Sequence, residues 1–444
     1  MAVPRVEEEN LVFDIKISSV VPGKITGENK THELKGIDLA MKLHYLKGLY
    51  FFTNNGLSSS TISVLSIHEA KKSMFDCLIP YFMACGRIRM SETSDRPTIK
   101  LNDAGVRVVE AKSSKTVDEW LAMEDFLSLQ DHLVYNHVLG PDLPFSPLVC
   151  LQFTWFRCGG VSVGLSWAHI LGDAFSASEF MNTFSQYIQN NHQQPKTISL
   201  QNTHQPTHPH PNPTRQPISV KRVGPVGNHW VLPANYKIGI HSLHLPLKQL
   251  HQLHSKVYGS KINDNGPTKY FEVITAIIWR SIAKIRKDKE TDIVTICRSK
   301  TSQRQQMMPY NGQVLSTVGA NCSVSSVDPS LLVKFIAENL VEENEMVEEL
   351  VNKELSTSDF IVYGRNLTFV DMEEADIYNF KLKGKCPVFA SYTVGGIGDK
   401  GVVMVLPGPR DGKDGEDDGK VIVLLLPEDE IECLKSELKN EWCI

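Results

Sequence analysis

The sequence predicts a two-domain α/β chain in which mixed sheets carry flanking helices. Three observations predict it. The chain has 444 residues, more than one ordinary core accommodates. Strand-like and helix-like periodicities recur in both halves. Between the halves, residues 191–218 read NHQQPKTISLQNTHQPTHPHPNPTRQPI. That run is nearly empty of large apolar side chains, as an exposed linker is. The expected division is a first domain over 1–190, a linker over 191–225 and a second domain over 226–444.

The elements follow in order. Phe13, Ile15 and Ile17 alternate with polar residues and predict a half-buried strand. Ser66 and Glu69 have capping-box spacing. The helix they start would place Ala70, Met74, Cys77, Leu78 and Tyr81 on one face. LVCLQFTWF (148–156), the turn Cys158-Gly159-Gly160 and VSVGLSW (161–167) read as a strand, a turn and a returning strand. Phe175, Phe180, Met181, Phe184, Tyr187 and Ile188 then recur at helical spacing.

Beyond the linker, VITAIIWRSIAKIR (273–286) predicts a helix and IVTIC (293–297) a buried strand. LLVKFIAENL (331–340) predicts a second helix running on into the acidic VEENEMVEEL, whose carboxylates read as a solvated face. GVVMVLP and VIVLLLP flank DGKDGEDDGK (411–420), which lacks EF-hand spacing and reads as a hairpin loop. A short helix follows Pro427. Trp167 and Trp279 are expected in the core.

Composition narrows the function. Hydrophobic residues make up 41% and charged residues 22%, a globular balance. The net charge of -5, with no basic face, argues against nucleic acid as a partner. No apolar run is long enough for a transmembrane helix, and MAVPRVEEEN does not read as a signal peptide. Nine scattered cysteines without a C-x-x-C pair read as reduced, intracellular thiols, and Cys158 as inert. His204, His208 and His210 lack acidic or cysteine co-ligands at metal-binding spacing, so no metal is expected.

The stretch WAHILGDAF (167–175) carries the candidate chemistry. It places His169 and Asp173 between a hydrophobic strand and a helix. A neutral imidazole can take a proton from a hydroxyl or amine attacking an acyl carbon. A carboxylate four residues on can orient the ring or make a structural contact of its own.

With SSVVPG (18–23), GIDLAMKLHYLKGLYFF (36–52), MACGRIRM (83–90), LNDAGVRVVEA (101–111) and VITAIIWRSIAK (273–284), this stretch resembles the plant BAHD acyltransferases from end to end. The resemblance implies two chloramphenicol-acetyltransferase-like domains with a channel between them. It implies His169 as the general base if the protein is active, and Asp173 as a structural ion pair. The partner of Asp173 would be Arg298 or Lys300. It also implies acyl-CoA as a substrate or ligand, no other cofactor, and a monomer. The family's D-F-G-W-G signature is degenerate here. One register sets it against Asn379, Phe380, Lys381, Leu382 and Lys383; another against residues 381–385. Neither keeps the aspartate or the tryptophan.

GENKTHELKGIDLAMKLHYLKGLYFF, VYNHVLGPDLPFSPLV and GIGDKGVV resemble the Eceriferum and Glossy branch of the family. That branch implies an accessory role in the fatty-acid elongase. The protein would work with a 3-ketoacyl-CoA synthase on very-long-chain acyl-CoAs for cuticular wax. It would sit peripherally on the cytosolic face of the endoplasmic reticulum, or in the cytosol or nucleus. The alternative is an acyl-CoA-dependent O- or N-acyltransferase using His169. A channel blocked near His169 by Lys381, Lys383 or Lys385 would favour the accessory role.

Overall fold

The computed structural model describes residues 11–27, 30–54, 65–91, 96–135, 142–189, 216–232, 236–259, 270–299, 308–320, 322–409 and 419–444. Residues 191–215 of the expected linker, with His204, His208 and His210, lie outside these. So do Lys300 and most of the 411–420 turn.

A six-stranded sheet runs in the spatial order Val12–Val20, Val106–Ser113, Val149–Phe156, Val161–Ala168, Tyr45–Phe52 and Phe389–Gly395. A seven-stranded sheet runs Ile238–Leu245, Lys420–Pro427, Val402–Pro407, Leu367–Asp371, Ile293–Ser299, Gln313–Gly319 and Val341–Glu342. Both sheets are mixed. Val106–Ser113 and Val149–Phe156 pair parallel, as do Leu367–Asp371 and each of its two neighbours.

Phe389–Gly395 comes from the second half of the chain but completes the first sheet. It pairs antiparallel with Tyr45–Phe52, placing Tyr392 opposite Gly48. Tyr50 and Tyr392 hydrogen-bond through their hydroxyls at 2.7 Å in the core. The halves are therefore joined by a strand ladder as well as by packing.

Local signals formed the expected helices. Ser66 and Glu69 cap Ile67–Cys77 reciprocally, and Ala70, Met74, Cys77, Leu78 and Tyr81 are all buried. Ala174–Gln189 buries Phe180, Met181, Phe184 and Tyr187, while Tyr270–Ile285 buries an apolar face on the second sheet. Trp167 and Trp279 are fully buried.

Two expectations are corrected. The first strand forms, but Phe13, Ile15 and Ile17 are 43%, 57% and 50% exposed. It is an edge strand whose pairing register shifts between Phe13 and Lys16, and Asp14 takes a left-handed φ of 53°. The shift puts Phe13 and Ile17 on opposite faces, and both faces of this edge strand are open to solvent over residues 13–17. The acidic run does not continue the preceding helix either. Pro329–Glu338 ends, Val341–Glu342 adds to the sheet, and Asn344–Glu354 starts a new helix. Glu343 is buried and accepts from the Ile218 and Ser219 amides and the Thr317 hydroxyl. Glu348 accepts from the Gly36 and Ile37 amides at 2.7 and 2.6 Å. Those two carboxylates are held by backbone donors rather than simply solvated.

Candidate functional site

Strand Tyr45–Phe52 pairs with Val161–Ala168 so that Tyr45 faces Ala168. The residues just outside that register are His44 and His169, and the His169 amide donates to the His44 carbonyl at 3.1 Å. After His169 the chain makes a short 3-10 turn, His169–Leu171, before helix Ala174–Gln189. The indole of Trp167 donates to the Gly172 carbonyl at 3.0 Å and ties the turn shut. Gly172 has to be small. A Cβ there would come within 2.8 Å of the Tyr310 nitrogen and 2.9 Å of its oxygen.

The segment around Tyr310 brings the second half of the chain onto this turn. Asp173 accepts from the Ser176 amide through Oδ1 and from the Gly312 amide through Oδ2, both at 3.0 Å. Asn311 donates to Asp38 Oδ1 at 2.9 Å and to the His169 carbonyl at 3.0 Å. Burial pushes the Asp173 carboxyl up to about 6, against the lowering effect of these amide donors. Burial raises Asp38 as well.

The expected ion pair is absent among the described residues. Arg298 pairs instead with Glu272 at 2.8 Å and Asp371 at 3.4 Å, and stacks on Phe271. Lys300 lies outside the described residues. The physical reason is local. Two amide hydrogens already reach Asp173 from its own helix start and from the apposed loop, so a buried cation is not required to satisfy it.

His169 is fully buried. Its Nε2 lies 2.9 Å from the hydroxyl of Tyr363, which donates onward to Gln313 Oε1 at 2.8 Å. The Gln313 amide nitrogen is turned toward Met41 Sδ at 3.8 Å, which leaves the oxygen for Tyr363. A hydroxyl that has donated its only hydrogen can only accept, so Nε2 carries the imidazole proton. Nδ1 of His169 has no hydrogen-bond partner.

Burial depresses the His169 pKa to about 4, and the ring is neutral at physiological pH. His44 lies edge-on to Tyr363, with ring centroids 4.9 Å apart. Its Nε2 accepts from the Val362 amide at 3.1 Å. Burial, with His169 nearby, lowers it to about 3.

Nε2, protonated in this arrangement, meets a tyrosine hydroxyl of the protein itself and cannot take a proton from an attacking group. Among the described residues, two clefts come near this centre. Leu43 lines one of about 330 Å³ and Asp173 another of about 200 Å³; His169 lines neither.

The degenerate signature is elsewhere. Phe380 is buried between the rings of Tyr50, Phe52 and Phe184 at centroid distances of 4.9, 5.6 and 6.1 Å. Leu382 is buried. The backbone of Lys381 exchanges two 2.8 Å bonds with the Ser185 hydroxyl. Lys383 pairs with Glu69 at 3.2 Å at the surface, and Asn379 and Lys385 are exposed. The lysines do not close the centre; Tyr363 does. Tyr363, Gln313, Asn311 and His44 carried no signal in the sequence, since Tyr363 is 194 residues from His169.

This fold and this turn define the class. A family model described as the Transferase family matches residues 13–441, and the chain belongs to that family, the BAHD type. Among curated relatives, Protein ECERIFERUM 2 of Arabidopsis thaliana is 37% identical, covering 98% of this chain and 99% of its own. Protein ECERIFERUM 26-like, also from Arabidopsis thaliana, is 38% identical over 99% and 98%. Among solved structures, vinorine synthase superposes with a TM-score of 0.68 at 16% identity, covering 96% of this chain and 98% of its own. That likeness shows the fold.

Proposed function

We propose that this protein is an accessory of the fatty-acid elongase that promotes elongation of very-long-chain acyl-CoAs for cuticular wax, and that it does so without general-base catalysis at His169. One observation carries the reading: His169 is sealed, with Nε2 bonded to Tyr363 and Tyr363 bonded to Gln313. The similarity to the Eceriferum proteins over nearly the whole chain supports it. So does the lining of the cleft beside Asp173, where Glu179, Glu374 and Asp376 make a poor seat for the phosphates of coenzyme A.

In this reading the partner is a 3-ketoacyl-CoA synthase at the cytosolic face of the endoplasmic reticulum. Among the described residues no helix is long and apolar enough to cross a membrane, so attachment would be through that partner. His169 and Asp173 serve the join between the halves.

The test is coexpression in yeast of a plant condensing enzyme alone, with the protein, and with His169→Ala, followed by acyl-chain profiling. Equal lengthening by both forms supports the accessory role. Loss of lengthening in a folded, equally abundant variant returns His169 to chemistry and favours the acyltransferase alternative.

A further inference from the structure

Exposed apolar side chains gather along one edge of the molecule. Phe13, Ile15 and Ile17 stand on the edge strand Val12–Val20, and Val21 and Ile25 follow in the loop that leaves it. Ile25, at 85%, is the most exposed large apolar residue described. Among the described residues, no other stretch of comparable length exposes more than two. Phe75, on helix Ile67–Cys77, joins them. The Gly23 amide donates to the Phe75 carbonyl at 2.8 Å, and a Cβ at Gly23 would come within 2.8 Å of the Phe75 ring. Thr26 donates through its amide and its hydroxyl to Asp103, at 2.8 and 2.5 Å, and fixes the backbone beside Ile25. A single exposed apolar residue is ordinary, but a contiguous set marks a surface that meets something.

Lysines frame this patch. Lys24 precedes Ile25, Lys72 lies one helical turn before Phe75, and Lys112 opposes Phe13 in the sheet register. Lys16 and Lys112 hold Asp14 between them at 3.6 and 2.8 Å. All four lysines are exposed. They are far apart in the sequence, so no basic run announces them, and they give a locally positive rim to a chain of net charge -5.

Three occupants could cover such an edge. A second copy would set the same lysines face to face across a two-fold axis, and like charges repel. An added strand would need an unbroken ladder. This one shifts register between Phe13 and Lys16, with Asp14 at a left-handed φ. An anionic lipid surface matches both features. Its boundary between headgroups and acyl chains accepts apolar side chains from either face of the strand, and its phosphates pair with the lysines. The outer backbone of the strand, which has no strand partner among the described residues, stays at headgroup depth, where water and phosphate oxygens satisfy it.

We propose that this edge docks on the surface of an anionic phospholipid bilayer, with the apolar residues seated between headgroups and acyl chains and the lysines on lipid phosphates. The contact adds to attachment through a protein partner and stands without the elongase reading.

Purified full-length protein is mixed with vesicles of phosphatidylcholine alone, or of phosphatidylcholine with phosphatidylserine, and bound protein is separated by flotation. Binding to the anionic vesicles is expected, weakening as salt rises, with little binding to phosphatidylcholine alone. Ile25→Glu is expected to weaken binding by about tenfold or more. Ile15→Glu serves as a second variant and should act likewise. Lys24→Gln and Lys72→Gln are each expected to weaken binding about fivefold. Leu331→Glu, at an exposed residue of helix Pro329–Glu338, leaves binding unchanged. Melting temperature checks that each variant is folded.

The proposal is overturned if the wild type does not bind the anionic vesicles, if it binds both kinds equally, or if folded Ile25→Glu and Ile15→Glu bind like the wild type. A wild-type dimer that Ile25→Glu converts to a monomer would also overturn it, since a second copy would then cover the edge. None of these outcomes depends on the yeast elongation result.

Discussion

The hydroxyl of Tyr363 lies 2.9 Å from Nε2 of His169, and both side chains are buried. A catalytic imidazole needs a free lone pair facing its substrate. Here Nε2 carries the proton and gives it to a tyrosine that has already committed its own hydrogen to Gln313, and the lone pair left on Nδ1 is buried without a partner. The bond seals the centre and binds strand Val161–Ala168 to the far half of the chain.

Tyr363→Phe is therefore expected to orphan both the Nε2 hydrogen and Gln313 Oε1, at about 1–3 kcal/mol per buried group. Urea unfolding measures the loss. Tyr363→Ala is expected to open His169 to carbethoxylation by diethyl pyrocarbonate, read by peptide mapping. Full reactivity of His169 in the wild type would contradict the seal.

Asp173→Ala is expected to destabilise the protein without moving any rate. It strips the acceptors from the Ser176 and Gly312 amides, again at about 1–3 kcal/mol each. Asp173→Asn keeps one oxygen and should cost less. If Arg298→Met matched the Asp173→Ala loss and the double variant added nothing, an Arg298–Asp173 pair would have to be restored.

Acid should weaken the fold through the histidines. His169 falls from an ordinary 6.5 to about 4 on folding, so the unfolded chain binds the extra proton between those values. Stability from this group is full above about pH 6.5 and is lost as pH falls toward 4. His44, lowered to about 3, acts in the same direction over a wider window. Asp173, raised from 3.8 to about 6, acts oppositely: its contribution is present below about pH 4 and is lost as pH rises through 6. Melting temperature between pH 4 and 7 should show a shallower acid slope in His169→Gln and a steeper one in Asp173→Asn. Unchanged slopes in both would refute the burial argument.

Phe380→Ala should be among the most damaging changes in the degenerate signature, at about 3–5 kcal/mol, because the ring fills space between Tyr50, Phe52 and Phe184. Lys383→Ala removes only an exposed pair with Glu69 and should cost under about 1 kcal/mol. Thermal melts of the two variants compare them directly.

Sequence alone determined most of the local elements and the family. The capping box at Ser66, the hairpin around Gly159, the apolar stripe after Asp173 and the H-x-x-x-D turn all depend on neighbours within a few residues, where spacing and propensity act directly. The tertiary structure decided what that turn can do. His169 looks the same in sequence whether Nε2 meets a substrate or Tyr363. Asp173 looks the same whether it meets Arg298 or the Gly312 amide. Those outcomes rest on partners more than a hundred residues away, brought in by the loop at Tyr310 and by the segment leading to Leu367–Asp371. A buried polar group is satisfied by whichever donor the packing presents, and periodicity carries no information about that choice.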